Sequence, residues 1–238
     1  MQFSDSSRHS LDVVRLFQSI LPGNVLVRGG PVNVPMAPLF PVEQQAMRSA
    51  GAKRRLEFTA GRHYARAALQ ALGAEFSPIA VSFDRCPVWP GGIVGSITHT
   101  DHYAAAALAK TNDFQGIGID LEHSVPLTSQ MINLITTETE RQTWTRQAWR
   151  PELRNELALL TFSAKEAVFK AYYPLCRKML RFDDIQIHYS SHDDSFSIST
   201  TSILEDGPLL QTIEGRFVAT EHFVATSALL STRPRKRE

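Results

Sequence analysis

Acidic and basic side chains collect in two short stretches near the middle of the chain. The β-branched residues of 116–122 predict a strand, on which Asp120 and Glu122 stand two positions apart and leave the same face. Residues 157–171 follow the apolar spacing of a helix, which leaves Lys165, Glu166 and Lys170 off the buried stripe or at its edge. The two stretches could therefore present carboxylates and ammonium groups together.

Three carboxylates from separate elements are typical of a site for a hard divalent cation. Mg²⁺ prefers oxygen ligands and usually keeps water and substrate phosphate in its shell. Asp120, Glu122 and Glu166 could supply the protein's share, while Lys165 and Lys170 would neutralise phosphate charge. The chemistry predicted from these residues is the binding of a diphosphate through Mg²⁺.

Each of these features also has a simpler interpretation. An Asp-x-Glu pair at a strand end is most often a solvated turn. Ser163 and Glu166 fit a capping box, in which the glutamate would satisfy a free amide at a helix start. Glu166 and Lys170 also have the i, i+4 spacing of an ordinary surface ion pair. The residues alone leave these alternatives open.

A basic helix lies earlier in the chain. Residues 41–72 have helical spacing, and Arg54 and Arg62 are separated on it by a little over two turns, so both could reach one polyphosphate. The alternative is a solvated helix face, to which we also assign Arg55 and Arg66.

A Thr-His step precedes the apolar strand predicted at 104–109. Thr98 and His99 could offer a hydroxyl and an imidazole to phosphate, although a histidine beside a strand is more often structural or simply exposed. A further strand is predicted at 79–83 from its alternation, and three alternating strands are predicted after residue 183.

Composition limits the remaining possibilities. The chain has 238 residues, of which 43% are hydrophobic, and a formal net charge of +1, so it is an ordinary globular protein with no global preference for nucleic acid or a membrane surface. Cys86 and Cys176 are too few for a disulfide framework. No signal-like start or long apolar run occurs. We expect a cytoplasmic monomer that binds neither nucleic acid nor membrane.

The second half of the chain repeats features of the first. Residues 100–105, Thr-Asp-His-Tyr-Ala-Ala, reappear as 220–225, Thr-Glu-His-Phe-Val-Ala, and each run leads into a small-residue apolar strand. The order of helix, strand and apolar strand also occurs twice. We therefore expect an α+β fold of two similar halves, residues 1–112 and 113–238, related by pseudo-two-fold symmetry with the ligand cleft between them.

Together the motifs resemble those of a known family. Gly-Ile-Asp-Leu-Glu at 118–122, followed by Phe-Ser-x-Lys-Glu-Ala-x-x-Lys at 162–170, is similar to the signature of the 4′-phosphopantetheinyl transferases of the surfactin-synthetase-activating type. Arg-Arg-x-Glu-Phe-x-x-Gly-Arg at 54–62 fits the same family. The run Pro-x-Trp-Pro-x-Gly-x-x-Gly-Ser-Ile-Thr-His at 87–99 resembles the siderophore-synthetase branch, named for enterobactin synthetase component D, although many relatives have Ser-His-Ser or Ser-His-Cys where this chain has Thr-His-Thr.

The resemblance implies a coenzyme A site shared by the two halves. The first half would bind the nucleotide end through Arg54 and Arg62 on the phosphates, Thr98 and His99 beside them, and Arg85 and Trp89 in the nucleotide pocket. The second half would hold Mg²⁺ on Asp120, Glu122 and Glu166, and would contact the diphosphate with Lys165 and Lys170. The catalytic residues implied are Glu166, Lys170 and Asp120.

The implied activity is transfer of the 4′-phosphopantetheine group of coenzyme A to a serine of an apo carrier protein, whether a peptidyl, aryl or acyl carrier. The serine hydroxyl would attack the β-phosphate and expel 3′,5′-ADP, and Glu166 would ligate the metal, accept the proton or do both. Two other functions stay open: a catalytically inactive coenzyme A- or carrier-binding module, and a metal-dependent nucleotide phosphohydrolase.

Overall fold

The chain divides into two compact units, Met1–Asp113 and Phe114–Glu238. The computed structural model describes residues 6–146, 156–190, 192–201 and 204–232, without the side chains of 6–12, 145 and 146. Among the described helices, none combines the length and the apolar character needed to cross a bilayer.

The first unit is a long helix packed on a small antiparallel sheet. Its sheet has the order β1-β3-β2, with neighbouring strands antiparallel. In chain order the elements are α1 (Ser6–Ile20), β1 (Leu26–Pro31), α2 (Pro41–Ala46), α3 (Ala52–Ala71), β2 (Ile93–His99) and β3 (Tyr103–Lys110).

Small residues allow α3 to lie close to this sheet. Every residue of 104–109 in β3 is fully buried, and all but one are alanine, so little side-chain volume separates the helix from the strand. A Cβ on Gly61 of α3 would lie 2.8 Å from the Ile97 side chain in β2. The core is completed by Ala65, Ala68, Leu69, Ile79 and Leu108.

The second unit places one helix across a larger antiparallel sheet of order β4-β8-β7-β6-β5. The long helix packs on β4 and β8. The elements are β4 (Phe114–His123), α4 (Ser129–Ile135), α5 (Glu138–Arg146), α6 (Leu157–Cys176), β5 (Ile185–Tyr189), β6 (Ser195–Thr200), α7 (Gly207–Leu210), β7 (Glu214–Ala219) and β8 (Phe223–Ser231).

The predicted α+β class is confirmed, and the two units share local details that support the predicted duplication. In the first unit the Thr100 hydroxyl accepts hydrogen bonds from the backbone N–H groups of His102 and Tyr103. In the second, the Thr220 hydroxyl accepts the same two bonds from the equivalent residues that follow it. The symmetry relation and the cleft between the halves stay predictions.

One predicted strand is wrong. Residues 79–83 form no strand, and their only ladder contact in the described structure is a single bridge between Val81 and Pro87. The backbone of Ile79 is instead bound by side chains, because its N–H donates to Glu43 and its carbonyl accepts from Arg62. The alternating pattern therefore belongs to a loop in which Ile79 is buried and Phe83 is fully exposed.

Candidate functional site

Two glycines of β4 allow α6 to touch the strand backbone. A Cβ on Gly116 would lie 2.3 Å from the carbonyl oxygen of Ala171, and one on Gly118 would lie 1.8 Å from that of Ala167. No side chain fits at such distances. Because side chains alternate along a strand, Asp120 and Glu122 continue the face of β4 that carries these glycines.

Asp120 is almost fully buried and forms an ion pair with α6. Its Oδ1 accepts a hydrogen bond of 2.6 Å from the Nζ of Lys170, which also donates to the Ile119 carbonyl at 3.3 Å. The side chain of Asp120 is 5% exposed and that of Lys170 is 27% exposed. The pair therefore keeps its ammonium partly open to solvent while the carboxylate is held in place.

Glu166 lies one helical turn before Lys170 and is partly buried. Burial raises the pKa of its carboxyl group, the positive charge of Lys170 opposes that rise, and the negative charge of Asp120 adds to it. Lys170 and Asp120 therefore both act electrostatically on Glu166. The contact between Asp120 and Lys170 is observed, and the convergence of Glu166 with them at one site stays a prediction.

The donor set of this site suits Mg²⁺. Mg²⁺ in proteins is commonly held by one or two carboxylates, with phosphate oxygens and water completing its shell. Asp120 and Glu166 provide two such carboxylates. The described residues contain no group of three or more His, Cys, Asp or Glu side chains arranged to hold a metal, so Glu122 as a third ligand stays a prediction.

Lys165 lies elsewhere than the helical pattern predicted. It is 2% exposed, and its ammonium donates to Glu140 Oε2 at 2.9 Å and to the carbonyls of Ile135 and Phe182 at 3.0 and 2.7 Å. The prediction that Lys165 lies off the buried stripe of α6 or at its edge is wrong, because α4 and α5 cover that side of α6. With these three hydrogen bonds made, Lys165 has no donor left for phosphate, and we leave it out of the proposed site.

Two hydroxyl groups attach α6 to the sheet beside the acids. Thr226, the partner of Asp120 across the β4–β8 ladder, donates from its hydroxyl to the Ser163 carbonyl at 2.8 Å, and the two hydroxyl groups are 2.9 Å apart. Ser163 is fully buried in the second turn of a helix that begins at Leu157. The capping-box interpretation of Ser163 and Glu166 is therefore wrong.

In the first unit, Arg54 and His99 meet at one end of α3. Nη1 of Arg54 is hydrogen-bonded to Nε2 of His99. An arginine can only donate, so Nε2 must accept and the imidazole proton lies on Nδ1. That Nδ1 lies 3.6 Å from Oε2 of Glu57, and Arg54 Nη1 lies 3.7 Å from the same oxygen. Glu57 was not among the predicted site residues, although its place three residues after Arg54 on a helix was a signal.

Arg62 lies deeper than Arg54 on the same helix. The Arg54 side chain is 52% exposed, whereas Arg62 is 5% exposed as a residue. The Nε of Arg62 donates to the Ile79 carbonyl at 2.9 Å, and its guanidinium lies 4.3 Å from the centroid of the Phe58 ring. Burial lowers its pKa to about 10, Glu43 opposes this effect, and the charges of Arg66 and Arg54 add to it. Arg62 stays protonated at neutral pH.

Arg66 does not lie on a solvated face, and that prediction is wrong. Arg66 is 2% exposed, and its Nη1 donates to both carboxylate oxygens of Glu43, at 2.9 and 3.0 Å. Its guanidinium also lies 5.5 Å from each of the Phe40 and Phe76 ring centroids. Arg55 is exposed, as predicted.

The three other residues predicted to contact the nucleotide lie in different local environments. Trp89 is half-buried against the first unit's core, with its indole N–H donating to the Gly95 carbonyl at 3.0 Å. Arg85 is exposed in a turn with a left-handed φ of 69°, and Thr98 is buried in β2. The roles of these three residues at a nucleotide stay predictions.

Comparison with known proteins identifies the class. The family model of the 4′-phosphopantetheinyl transferase N-terminal domain matches residues 42–109, and that of the 4′-phosphopantetheinyl transferase superfamily matches residues 116–220. The chain is 36% identical over 200 residues to 4′-phosphopantetheinyl transferase Svp of Streptomyces mobaraensis, covering 81% of this chain and 79% of the relative. It is 34% identical over 197 residues to PptT of Mycobacterium tuberculosis, covering 80% and 86%.

The chain therefore belongs to the 4′-phosphopantetheinyl transferase superfamily, whose enzymes attach phosphopantetheine to carrier proteins. It is related to the branch of enterobactin synthase component D, with 37% identity over 129 residues to the Salmonella typhi protein, covering 53% of this chain and 51% of that protein. Among solved structures, the holo-(acyl-carrier-protein) synthase from Bacillus anthracis aligns with 51% of this chain and 99% of its own, at 21% identity and a TM-score of 0.37. The family assignment rests on the sequence relatives and not on that likeness.

Proposed function

We propose that this enzyme transfers the 4′-phosphopantetheine group of coenzyme A to a serine hydroxyl of an apo carrier protein, requires Mg²⁺ and releases 3′,5′-ADP. The observation that carries the proposal is the Asp120–Lys170 ion pair where β4 and α6 touch, with Glu166 one helical turn before Lys170 on α6. Two carboxylates and one partly open ammonium suit a magnesium-bound diphosphate. The family membership supplies the group that is transferred and its acceptor.

Lys170, Glu166 and Asp120 of the second unit each have a distinct part in the reaction. The serine oxygen bonds to the β-phosphorus, the bond from that phosphorus to the bridging oxygen breaks, and 3′,5′-ADP leaves with the bridging oxygen. Lys170 neutralises charge on the phosphate oxygens as this happens. Glu166 accepts the serine proton as the general base. Bound Mg²⁺, held by Asp120 and Glu166, would supply Lewis-acid stabilisation of the same oxygens.

The first unit contributes the nucleotide-binding groups. Arg54 and Arg62 both lie on α3, and the charge of Arg54 acts on the buried Arg62. His99 is held by Arg54 and faces Glu57, so its imidazole is oriented before any ligand binds. We assign the 3′-phosphate and diphosphate of coenzyme A to Arg54, Arg62 and His99, and His99 can donate to a phosphate only after its Nε2 releases Arg54 and gains a proton. We keep Thr98, Arg85 and Trp89 as secondary candidates.

The test is an assay of purified protein with coenzyme A, Mg²⁺ and an apo carrier protein, followed by mass spectrometry of the carrier. We expect the carrier to gain one phosphopantetheine group and 3′,5′-ADP to appear in equal amount. Glu166→Gln should lower kcat by about 100-fold or more, in the range of general-base catalysis. Glu205→Gln, on an exposed acid of the same unit, is the matched control and should keep wild-type activity.

The two alternatives predict other results. An inactive binding module would bind coenzyme A without modifying any carrier. A phosphohydrolase would release products from coenzyme A or a nucleotide when no carrier is present. Either result with a folded wild-type protein would contradict the transferase assignment.

A panel of apo carrier proteins tests which carrier the enzyme modifies best. The likeness to the enterobactin synthase component D branch favours peptidyl or aryl carriers of siderophore synthesis, and the proposal predicts a higher kcat/KM for them than for a fatty-acid carrier. A cytoplasmic location and a monomeric enzyme also stay predictions. Cell fractionation and light scattering after size-exclusion chromatography check them.

A further inference from the structure

Glu43 is a fully buried carboxylate that the proposed reaction does not use. Its Oε1 accepts hydrogen bonds from the Ile79 N–H and from Arg66 Nη1, both at 2.9 Å. Its Oε2 accepts from the Phe40 N–H at 2.9 Å and from the same Arg66 nitrogen at 3.0 Å. The carboxylate therefore joins α2 and α3 to the loop that carries Ile79.

Beyond Ile79, that loop is also held by the Val88 N–H, which donates to the Ala80 carbonyl at 2.9 Å. Residues 74–80 contain no helix or strand, and no sheet ladder fixes the Ile79 peptide groups. The side chain of Ile79 is fully buried against α3. Its N–H is held by Glu43, and its carbonyl accepts the 2.9 Å hydrogen bond from Arg62 Nε. The position of the carbonyl that binds Arg62 thus depends on the carboxylate of Glu43.

The guanidinium of Arg62 is fixed by this carbonyl and by one aromatic ring. Nε is the only guanidinium nitrogen of Arg62 with a hydrogen bond to the described residues, and the Phe58 ring lies 4.3 Å from the guanidinium carbon. The hydrogen bond at Nε and the Phe58 ring together fix the direction in which the two Nη groups point. An arginine held at Nε in this way presents its paired terminal N–H groups to a phosphate with little ordering still to be done.

We propose that Glu43 is a positioning residue for phosphate binding: it holds the Ile79 backbone so that the Ile79 carbonyl orients the Arg62 guanidinium toward the nucleotide phosphates of coenzyme A. The inference rests on the proposed function, because it takes Arg62 to be a phosphate ligand. Glu43 touches no substrate in this scheme and acts through Ile79. The charge of Glu43 also favours the protonated form of the buried Arg62.

The second unit contains a matched control. Glu140 is a buried acid whose carboxylate binds Lys165 of the long helix, the N–H of Ile187 and the N–H of Thr137. These contacts parallel those of Glu43, but Ile187 lies in β5 and pairs with β6, and its segment holds no arginine assigned to phosphate. Glu140→Gln should therefore cost stability, as Glu43→Gln does, without changing nucleotide affinity.

The test compares the full-length wild type with Glu43→Gln and Glu140→Gln by titration calorimetry with 3′,5′-ADP. In Glu43→Gln one carboxylate oxygen becomes an NH₂ group and the charge is lost, so the N–H groups of Ile79 and Phe40 compete for one remaining acceptor and the Ile79 contact is weakened. We expect the affinity for 3′,5′-ADP to fall about tenfold or more, which is the range of one charge-assisted hydrogen bond. The KM for coenzyme A should rise by a similar factor with kcat nearly unchanged. Glu140→Gln should bind 3′,5′-ADP like the wild type.

A double-mutant cycle separates positioning from general damage. In an Arg62→Met background, adding Glu43→Gln should weaken 3′,5′-ADP binding no further, because the group through which Glu43 acts is gone. Wild-type affinity in folded Glu43→Gln would overturn the inference, and so would a loss that persists in the Arg62→Met background. If Glu43→Gln does not fold, Glu43→Asp, which keeps the charge but withdraws it by one methylene, must show the same loss and the same cycle.

These results are distinct from a failure of the proposed function. A wild-type protein that binds neither coenzyme A nor 3′,5′-ADP would overturn the proposed function, and the inference with it. Wild-type protein that binds both, with Arg62→Met unchanged, would overturn the inference and leave the transfer reaction standing.

Discussion

Oδ1 of Asp120 accepts a hydrogen bond from Nζ of Lys170 at 2.6 Å, and this contact joins the last part of β4 to the middle of α6. The two residues are far apart in sequence. They meet because the strand and the helix are separated only by backbone atoms at Gly116 and Gly118. The site therefore depends on the absence of side chains two and four positions before the aspartate.

Gly118→Ala tests this dependence. Its Cβ would lie 1.8 Å from the Ala167 carbonyl oxygen, so α6 must move away from β4. We expect a loss of about 3 kcal/mol, at the upper end of the cost of overpacking, together with loss of transfer activity. Urea denaturation and the carrier assay measure the two effects. Gly23→Ala, which adds a Cβ with no atom within 4 Å, should change neither, and equal losses in both variants would contradict the packing argument.

The metal shell can be tested one carboxylate at a time. Asp120→Asn and Glu122→Gln each remove one negative charge from a proposed magnesium ligand. If both residues bind Mg²⁺, each variant should need at least about tenfold more Mg²⁺ for half-maximal binding of the metal in the presence of 3′,5′-ADP. Titration calorimetry measures this without turnover. A wild-type value for Glu122→Gln would reduce the protein's share of the shell to Asp120 and Glu166.

His63 gives a pH prediction in the first unit. Burial lowers the pKa of its imidazole below 6.5, and the positive charge of Arg66 lowers it further. The unfolded chain therefore binds more protons than the native protein as the pH falls below about 6.5, so acidification destabilises the native state. In His63→Gln this contribution is absent. Between pH 7 and pH 5 the variant should lose less stability than the wild type in urea denaturation, and parallel curves would refute the assignment.

Much of the site could be predicted because it lies on regular elements. Strand alternation placed Asp120 and Glu122 on one face of β4, and the spacing of Glu166 and Lys170 placed them together on α6. Neither pattern predicts that the strand and the helix meet, and only the resemblance to a family implied that contact. A glycine in a strand is consistent with the close approach of another backbone, but it does not indicate which one.

Two of the errors concern charged residues at the edges of helical stripes. Lys165 and Arg66 were both predicted outside the core, yet each is 2% exposed and paired with a buried glutamate. The periodicity of one helix describes its most apolar line and does not report what other elements cover its flanks. Glu140 and Glu43 come from short helices far away in sequence, so neither pair was visible before the chain was folded.

Lys165→Met tests whether the buried ammonium serves the fold or the substrate. The substitution leaves the Glu140 carboxylate buried without its cation, which typically costs about 3–5 kcal/mol. We expect a large drop in the free energy of unfolding measured in urea. The prediction from family resemblance, a phosphate contact, would instead weaken binding of 3′,5′-ADP in a protein of normal stability.

The double variant Lys165→Met/Glu140→Gln distinguishes these possibilities. It removes the uncompensated charge, and the glutamine oxygen can still accept a hydrogen bond from Ile187 or Thr137. If Lys165 is structural, stability should recover by a large part of the loss in the single variant, and 3′,5′-ADP should bind with the wild-type affinity. Recovered stability with nucleotide binding still lost would return Lys165 to the phosphate site, because the fold would then be intact while the ligand contact was missing.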